Sequence, residues 1–135
     1  MLADKTSSAI VAVADMERAR AFYGTSLGLP CVEQGDEVCV YATGPTHLVV
    51  YRSREAGTNR ANAAVFDAAG EIEAIVADLA AKGVAFEHYE MDGVTYRDGI
   101  HWAGDAKMVW FKDPDGNILH INDMPRPVGH AEAAR

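Results

Sequence analysis

The sequence predicts an α+β fold in which a strand–helix–three-strand unit is used twice. Three observations carry this reading. An apolar run, a stretch of helical period and three further extended runs recur in the same order in each half of the 135-residue chain. A turn, Asp113-Pro114-Asp115-Gly116, lies between aromatic and β-branched runs near the C-terminal end, with Pro fixing φ and Gly supplying a position with φ > 0, and so marks a β-hairpin. Each half, on the order of 60 residues, is too small to cover both faces of its own sheet. The two sheets therefore form a concave mixed β-sheet cleft, with helices on one side and something else on the other.

The first unit, about residues 7–53, opens with the strand Ala9 to Ala14. Asp15 is a good N-cap. Met16, Ala19, Tyr23 and Leu27 then fall on one helical face, and Gly28 and Pro30 end the helix. Extended runs around Cys31 to Glu33, Val38 to Ala42 and His47 to Tyr51 follow, punctuated by Gly35 and Gly44-Pro45. The polar stretch Arg54 to Arg60 links the units. The second unit, about 61–123, opens with Ala61 to Phe66. A helix follows with Ile72, Ile75, Val76 and Leu79 inward, closed by Lys82-Gly83. Its three runs are Val84 to Tyr89, Lys107 to Phe111 and Ile118 to Ile121. Residues 92–106 read as a long Gly-containing loop carrying Tyr96, His101 and Trp102, and residues 124–135 as a flexible tail. The whole is one domain over 7–123.

Composition narrows the function. With 49% hydrophobic residues and a net charge of -8, the chain lacks the basic stripe a nucleic-acid surface needs. No signal peptide opens it and no apolar run approaches a membrane span, so the expected location is the cytoplasm. Cys31 and Cys39 lie symmetrically about Gly35, which would place them opposite each other in a hairpin. A cross-strand disulfide would then be within reach, whereas a cytosolic compartment implies two reduced thiols. No phosphate-binding glycine loop, Ser/His/Asp signature or paired-cysteine metal motif is present.

The duplicated unit, Ala14-Asp15 at the first helix, Ala21-Phe22-Tyr23 within it, and Asp113-Pro114-Asp115-Gly116-Asn117 before the last strand together resemble the vicinal oxygen chelate superfamily. That group includes glyoxalase I, extradiol dioxygenases, and fosfomycin- and bleomycin-resistance proteins. The resemblance runs from about Ser7 to Asp123. It implies metal ligands on the first strand of each unit and on the last strand. Those positions fall on Ser8, Asn62 and His120. Only His120 is a usual ligand for a first-row cation, because Ser hydroxyl and Asn amide are poor donors to Zn²⁺, Fe²⁺ or Ni²⁺. The expectation is therefore a cleft with no resident metal and no other cofactor.

Strand alternation puts Ser8, Ile10, Ala12, Asn62, Ala64, Ile118 and His120 on the concave side. Val11, Val13, Val65, Leu119 and Ile121 go under the helices. The ligand-contacting candidates are Ser8, Asn62 and His120 as polar groups, with Tyr51, Tyr96, His101, Trp102 and Trp110 around them. Trp110 is either a stacking wall or core, depending on which face it takes. His120 is the candidate catalytic group, as a general base or a hydrogen-bond partner. Asp113 and Asp115 are explained by turn chemistry, and His47 and His88 carry no ligand spacing. Three functions fit: a protein that sequesters a small hydrophobic or aromatic molecule, a glyoxalase-like lyase, isomerase or dioxygenase, and a subunit with a vestigial cleft. The resemblance implies a homodimer, and exposed sheet edges also ask for cover.

Overall fold

A computed structural model of the chain describes residues 1–125. The first sheet holds β1 (Ala9–Val13), β2 (Cys31–Gln34), β3 (Val38–Thr43) and β4 (Thr46–Arg52) in the order β1-β4-β3-β2. The second holds β5 (Asn62–Asp67), β6 (Thr95–Arg97), β7 (Ile100–Ala103), β8 (Ala106–Lys112) and β9 (Ile118–Asp123) in the order β5-β9-β8-β7-β6. In each sheet the first strand pairs in parallel with the last of its unit and the other pairings are antiparallel. β1 and β5 lie side by side, so the two sheets follow one another across the middle of the molecule. The α+β class and the duplicated arrangement are those the sequence implies. The expected tail lies outside the described residues from position 126 onward.

Helix α1 (Met16–Ala19) starts where Asp15 accepts hydrogen bonds from the backbone N–H of Glu17 and Arg18 at 2.9 and 3.1 Å. It runs into a π-helical segment (Arg20–Ser26), closed by Leu27 N–H donating to Phe22 five residues back at 2.8 Å. Helix α2 (Ile72–Ala81) takes its N-terminal cap from another element: Asp123, at the end of β9, accepts from Gly70 N–H and from Ile72 N–H at 3.1 Å. Its other end is a Schellman closure, with Val84 N–H to Leu79 O, Gly83 N–H to Ala80 O, and Gly83 at φ +89°. Both helices cover one side of the sheets. One continuous core lies between, built from Val11, Val13, Tyr23, Tyr41, Leu48, Phe111 and Leu119 among others.

The Asp113 turn joins the two halves. Its hairpin closes with Gly116 N–H to Asp113 O and Asp113 N–H to Asn117 O, both at 3.0 Å. The Asp113 side chain is buried and takes four hydrogen bonds: Tyr23 Oη (2.7 Å), Asn117 Nδ2 (2.8 Å), Asn117 N (2.8 Å) and Asp115 N (2.9 Å). Tyr23 belongs to the first unit. Asn117 Nδ2 also donates to Ala12 O of β1 at 2.7 Å, and Asp115 accepts from Ala14 N–H at 3.2 Å and from Arg18 at 2.9 Å. The linker passes so close that a Cβ on Gly57, at φ +81°, would sit 2.7 Å from Asp115 O.

Three expectations are corrected. Residues 92–106 are not a loop: they form the β6–β7 hairpin, and Asp98 and Gly99 take the positive φ of a type I′ turn at +55° and +80°. That hairpin pairs with β8 along Ala106 to Met108, so Val84 to Tyr89 keeps only the far end of the same strand edge, through a Phe86–Phe111 bridge and Glu87 N–H to Trp110 O. The register between β5 and β9 shifts between Asn62 and Ala64. Beyond that bulge the faces exchange: Ala64 is core at 9% exposure and Val65 is 62% exposed on the open side. Finally, Cys31 opposes Tyr41 and Cys39 opposes Gln34, across an irregularity between Cys31 and Glu33. The cysteines do not face each other, and both are free thiols, Cys31 exposed and Cys39 buried.

Removing the Asp113 carboxylate strands four donors at the contact between the halves. Asp113→Ala is expected to lower unfolding stability by about 3 kcal/mol, and Tyr23→Phe by about 1–2 kcal/mol. Urea unfolding followed by circular dichroism reads both, and a smaller effect for Asp113→Ala than for Tyr23→Phe would contradict this account of the turn.

Candidate functional site

On the side of the second sheet away from the helices, strand register lines up one row of side chains. Val65 (β5) neighbours His120 (β9), His120 faces Trp110 (β8), Asn122 faces Met108, and His101 (β7) sits between Met108 and Tyr96 (β6). The Trp110 indole stacks on the His120 ring with centroids 4.5 Å apart and planes 21° apart. His101 meets Trp110 edge-on at 4.9 Å, Tyr89 meets it edge-on at 5.3 Å, and Tyr96 meets His101 at 4.8 Å. His88 stacks on Tyr96 at 3.7 Å. Trp110 therefore takes the open face as a ring wall, and only 9% of it remains exposed.

Hydrogen bonds set the state of both imidazoles. Nδ1 of His120 lies 2.9 Å from Val109 O, so it carries the proton. Nε2 then accepts from Asn122 Nδ2 at 3.2 Å. His101 repeats the scheme with backbone partners: Nδ1–H to Met108 O at 3.2 Å, and Nε2 accepting from Tyr89 N–H at 3.0 Å. That second bond fastens the Val84–Tyr89 segment to the hairpin. Burial pushes both pKa values below the ordinary 6.5, outweighing the backbone carbonyls that favour the protonated rings. Both rings are neutral at pH 7. His120 can then offer a ligand an acceptor only where Asn122 yields it.

The other sequence candidates are scattered over two faces. Tyr51 lies on the open face of the first sheet, beside Ala12, and is half-buried. Ser8 and Asn62 are exposed, just before β1 and at the start of β5. No hydrogen bond, ion pair or ring contact joins Ser8, Asn62 and His120 to one another among the described residues. Trp102 is corrected: it follows His101 in the same strand and so points the other way, against the core, between Arg97 (4.6 Å from the ring centroid) and Lys107 (4.8 Å). Sequence reasoning missed Asn122, Met108 and Tyr89. Alternation from His120 and Trp110 reaches the first two. Nothing local in the sequence reveals Tyr89.

A metal ion is what the resemblance implies at Ser8, Asn62 and His120. The donors do not fit one: they amount to one imidazole, whose two nitrogens are both engaged, and two neutral oxygen or amide groups. Among the described residues no group of three or more His, Cys, Asp or Glu side chains gathers. Two surface grooves, of about 380 and 280 Å³, both lie on the helix side and include neither His120 nor Trp110. Neither groove reaches the aromatic row, in which Trp110, His101 and His120 are themselves buried. Among the described residues no helix is long and apolar enough to cross a membrane.

Residues 5–121 match the family model described as Glyoxalase/Bleomycin resistance protein/Dioxygenase superfamily. No protein of curated function is matched. Among solved structures, lactoylglutathione lyase from Agrobacterium tumefaciens is 18% identical, with a TM-score of 0.67 over 89% of this chain and 93% of that one. A glyoxalase/dioxygenase from Nostoc punctiforme is 23% identical, with a TM-score of 0.65 over 91% and 92%. Fosfomycin resistance protein FosX from Mesorhizobium loti is 12% identical, with a TM-score of 0.66 over 98% of each chain. At these identities the likeness is one of fold.

Two imidazoles held neutral by burial make stability depend on pH. Below about 6.5 the unfolded chain takes up protons that the folded rings refuse, so stability is whole above that pH and falls as the pH drops below it. The melting temperature is expected to fall between pH 7.5 and pH 5.5, above the range where carboxylates titrate. His101→Gln, which can still donate to Met108 O and accept from Tyr89 N–H, should flatten part of that slope. An unchanged slope would mean that His101 is not held neutral.

Proposed function

The chain belongs to the Glyoxalase/Bleomycin resistance protein/Dioxygenase superfamily, and from that premise we propose that the open face around Trp110 and His120 binds a small aromatic or hydrophobic molecule without altering it. The observation that carries this reading is the stacked Trp110–His120 pair, with His120 neutral and its Nε2 tied to Asn122. A flat ligand gains area and ring stacking against Trp110, Tyr89 and Met108. Its polar edge meets the Asn122 amide and the imidazole, with Asn62 and Tyr51 further along the same face. Sequestration of an antibiotic or a metabolite is the corresponding role. Tyr96 and His101 brace the wall from the hairpin side.

The same reading takes residues 7–123 as one domain working as a cytoplasmic homodimer, with a small molecule rather than nucleic acid as partner. The exposed apolar side chains Ile10, Val38 and Val65 on this face support the dimer. An enzymatic reading rests on one feature, the neutral His120. It would act as a general base on a bound substrate once Asn122 releases Nε2.

A Trp102→Phe background leaves Trp110 as the reporter of this face. Titration with a panel of aromatic antibiotics and metabolites should give saturable quenching, about tenfold weaker in Asn122→Ala; Trp110→Ala, which removes the reporter, should weaken binding about tenfold by calorimetry. The recovered ligand should be chemically unchanged, since turnover would favour the enzymatic reading. Sequestration fails if no compound quenches or raises the melting temperature, or if purified protein carries a stoichiometric first-row metal lost in His120→Ala.

A further inference from the structure

The helix side of the molecule carries a second feature, unrelated to the aromatic wall. The first helix packs toward β4 and α2 toward β9, and between them the sheet is left partly bare. The result is a groove of about 380 Å³ with Phe66, Phe111 and Ile121 as its floor and Leu27 and Ile75 as its walls. Its volume lies within the range of small-molecule sites. The space exists because the residue of α2 facing it at the middle is Ala74; Glu71, Ala74, Ile75 and Asp78 follow at the spacing of one helical stripe.

Charge selects the occupant. Three carboxylates, Asp67, Glu71 and Asp78, stand around this apolar floor. Asp78 is paired at 3.2 Å with Lys82, which does not line the groove. The Asp67 carboxylate accepts from Ala69 N–H at 2.9 Å, and the Glu71 side chain has no hydrogen bond or ion pair among the described residues. An apolar slot with an acidic mouth, on a chain of net charge -8, repels acids and concentrates organic cations.

We propose that this groove is a binding site for hydrophobic amines, with the aryl or alkyl part on Phe66, Phe111 and Ile121 and the ammonium at the Glu71 end. The site is independent of the ligand wall on the opposite side of the sheet, so either can fail without the other. Three probes of one shape test it by calorimetry: 4-phenylbutylamine, 4-phenylbutan-1-ol and 4-phenylbutyrate. The amine should bind about threefold to tenfold tighter than the alcohol at low salt, the acid weakest, with the gap closing in 0.5 M salt. Ala74→Trp fills the slot and should weaken the amine at least tenfold; Ala74→Leu serves if the larger side chain prevents folding. Glu71→Lys should cost the amine about threefold to tenfold while leaving the alcohol unchanged.

The proposal is overturned if the acid binds as tightly as the amine, or if the Ala74 variants bind like the parent. It is also overturned if those variants lower the molecular mass of the parent in sedimentation, because the groove would then be a contact between copies of the chain. Ligands of the Trp110 face should keep their affinity in every one of these variants.

Discussion

The fold depends most on a carboxylate with nowhere to go but inward. Asp113 is buried, and a buried carboxylate without donors would destabilise the chain by several kcal/mol. Tyr23 on the first unit and Asn117, Asp115 and the turn backbone on the second supply those donors. Three of these donors come from the turn itself, and the fourth, the Tyr23 hydroxyl, is in place only when the two units are docked. Coulomb strength between them is secondary, since the Arg18–Asp115 pair is half exposed on the Arg side and exposed pairs add little. Geometry is the larger contribution: with Asn117 fixed on Ala12 O, β1 is held beside β5, and the two sheets present one open face and one core.

That arrangement shows which parts of the architecture a sequence can express. Local chemistry was legible wherever one residue type has one conformational use. Asp15 caps, Gly83 closes, Asp113 to Gly116 turns, and Val11 and Val13 alternate inward as the period of two demands. The long-range contacts of the same turn, Asp113 with Tyr23 and Asn117 with Ala12, were not legible, because nothing in a hairpin signature names its partner across 90 or more residues. The Asp98-Gly99 hairpin was legible and overlooked. Its strands are short, and the apolar run at Val84 to Tyr89 competes for the same edge of β8. A strand edge can be paired only once along its length, and the hairpin takes the stretch nearest to it in sequence.

Parity errors account for the rest. The β5 bulge moved Val65 outward and Ala64 inward while Asn62 kept its place, so the side-chain alternation that worked in β1 misled in its counterpart. In β2 the turn register, which sets Gln34 opposite Cys39, already keeps the cysteines apart before the irregularity near Cys31 is reached. At the site, His120 was found by position, whereas for Trp110 the sequence left wall and core equally open. Trp102, one residue from His101, had to take the opposite face in any regular strand. Tyr89 reached the wall only because His101 accepts its backbone N–H, a contact made by folding the 84–89 segment over the hairpin.

The charge of the chain and the state of its histidines pull against each other. A net charge of -8 stabilises protonated imidazole and would, by itself, raise both pKa values. Surface carboxylates act through water, however, where screening sets in over about 8 Å at physiological ionic strength. His101 has no exposed surface and His120 only 8%, so loss of hydration acts on them directly and wins. The wall therefore carries no charge in an otherwise acidic molecule, while the groove behind the sheet keeps its carboxylates in solvent and stays anionic. One β-sheet thus separates two chemically different surfaces: a neutral aromatic face whose hydrogen-bond polarity is fixed by Val109 O and Asn122, and an acidic apolar slot. Which class of molecule each side accepts follows from that division of solvent exposure, before any particular contact is considered.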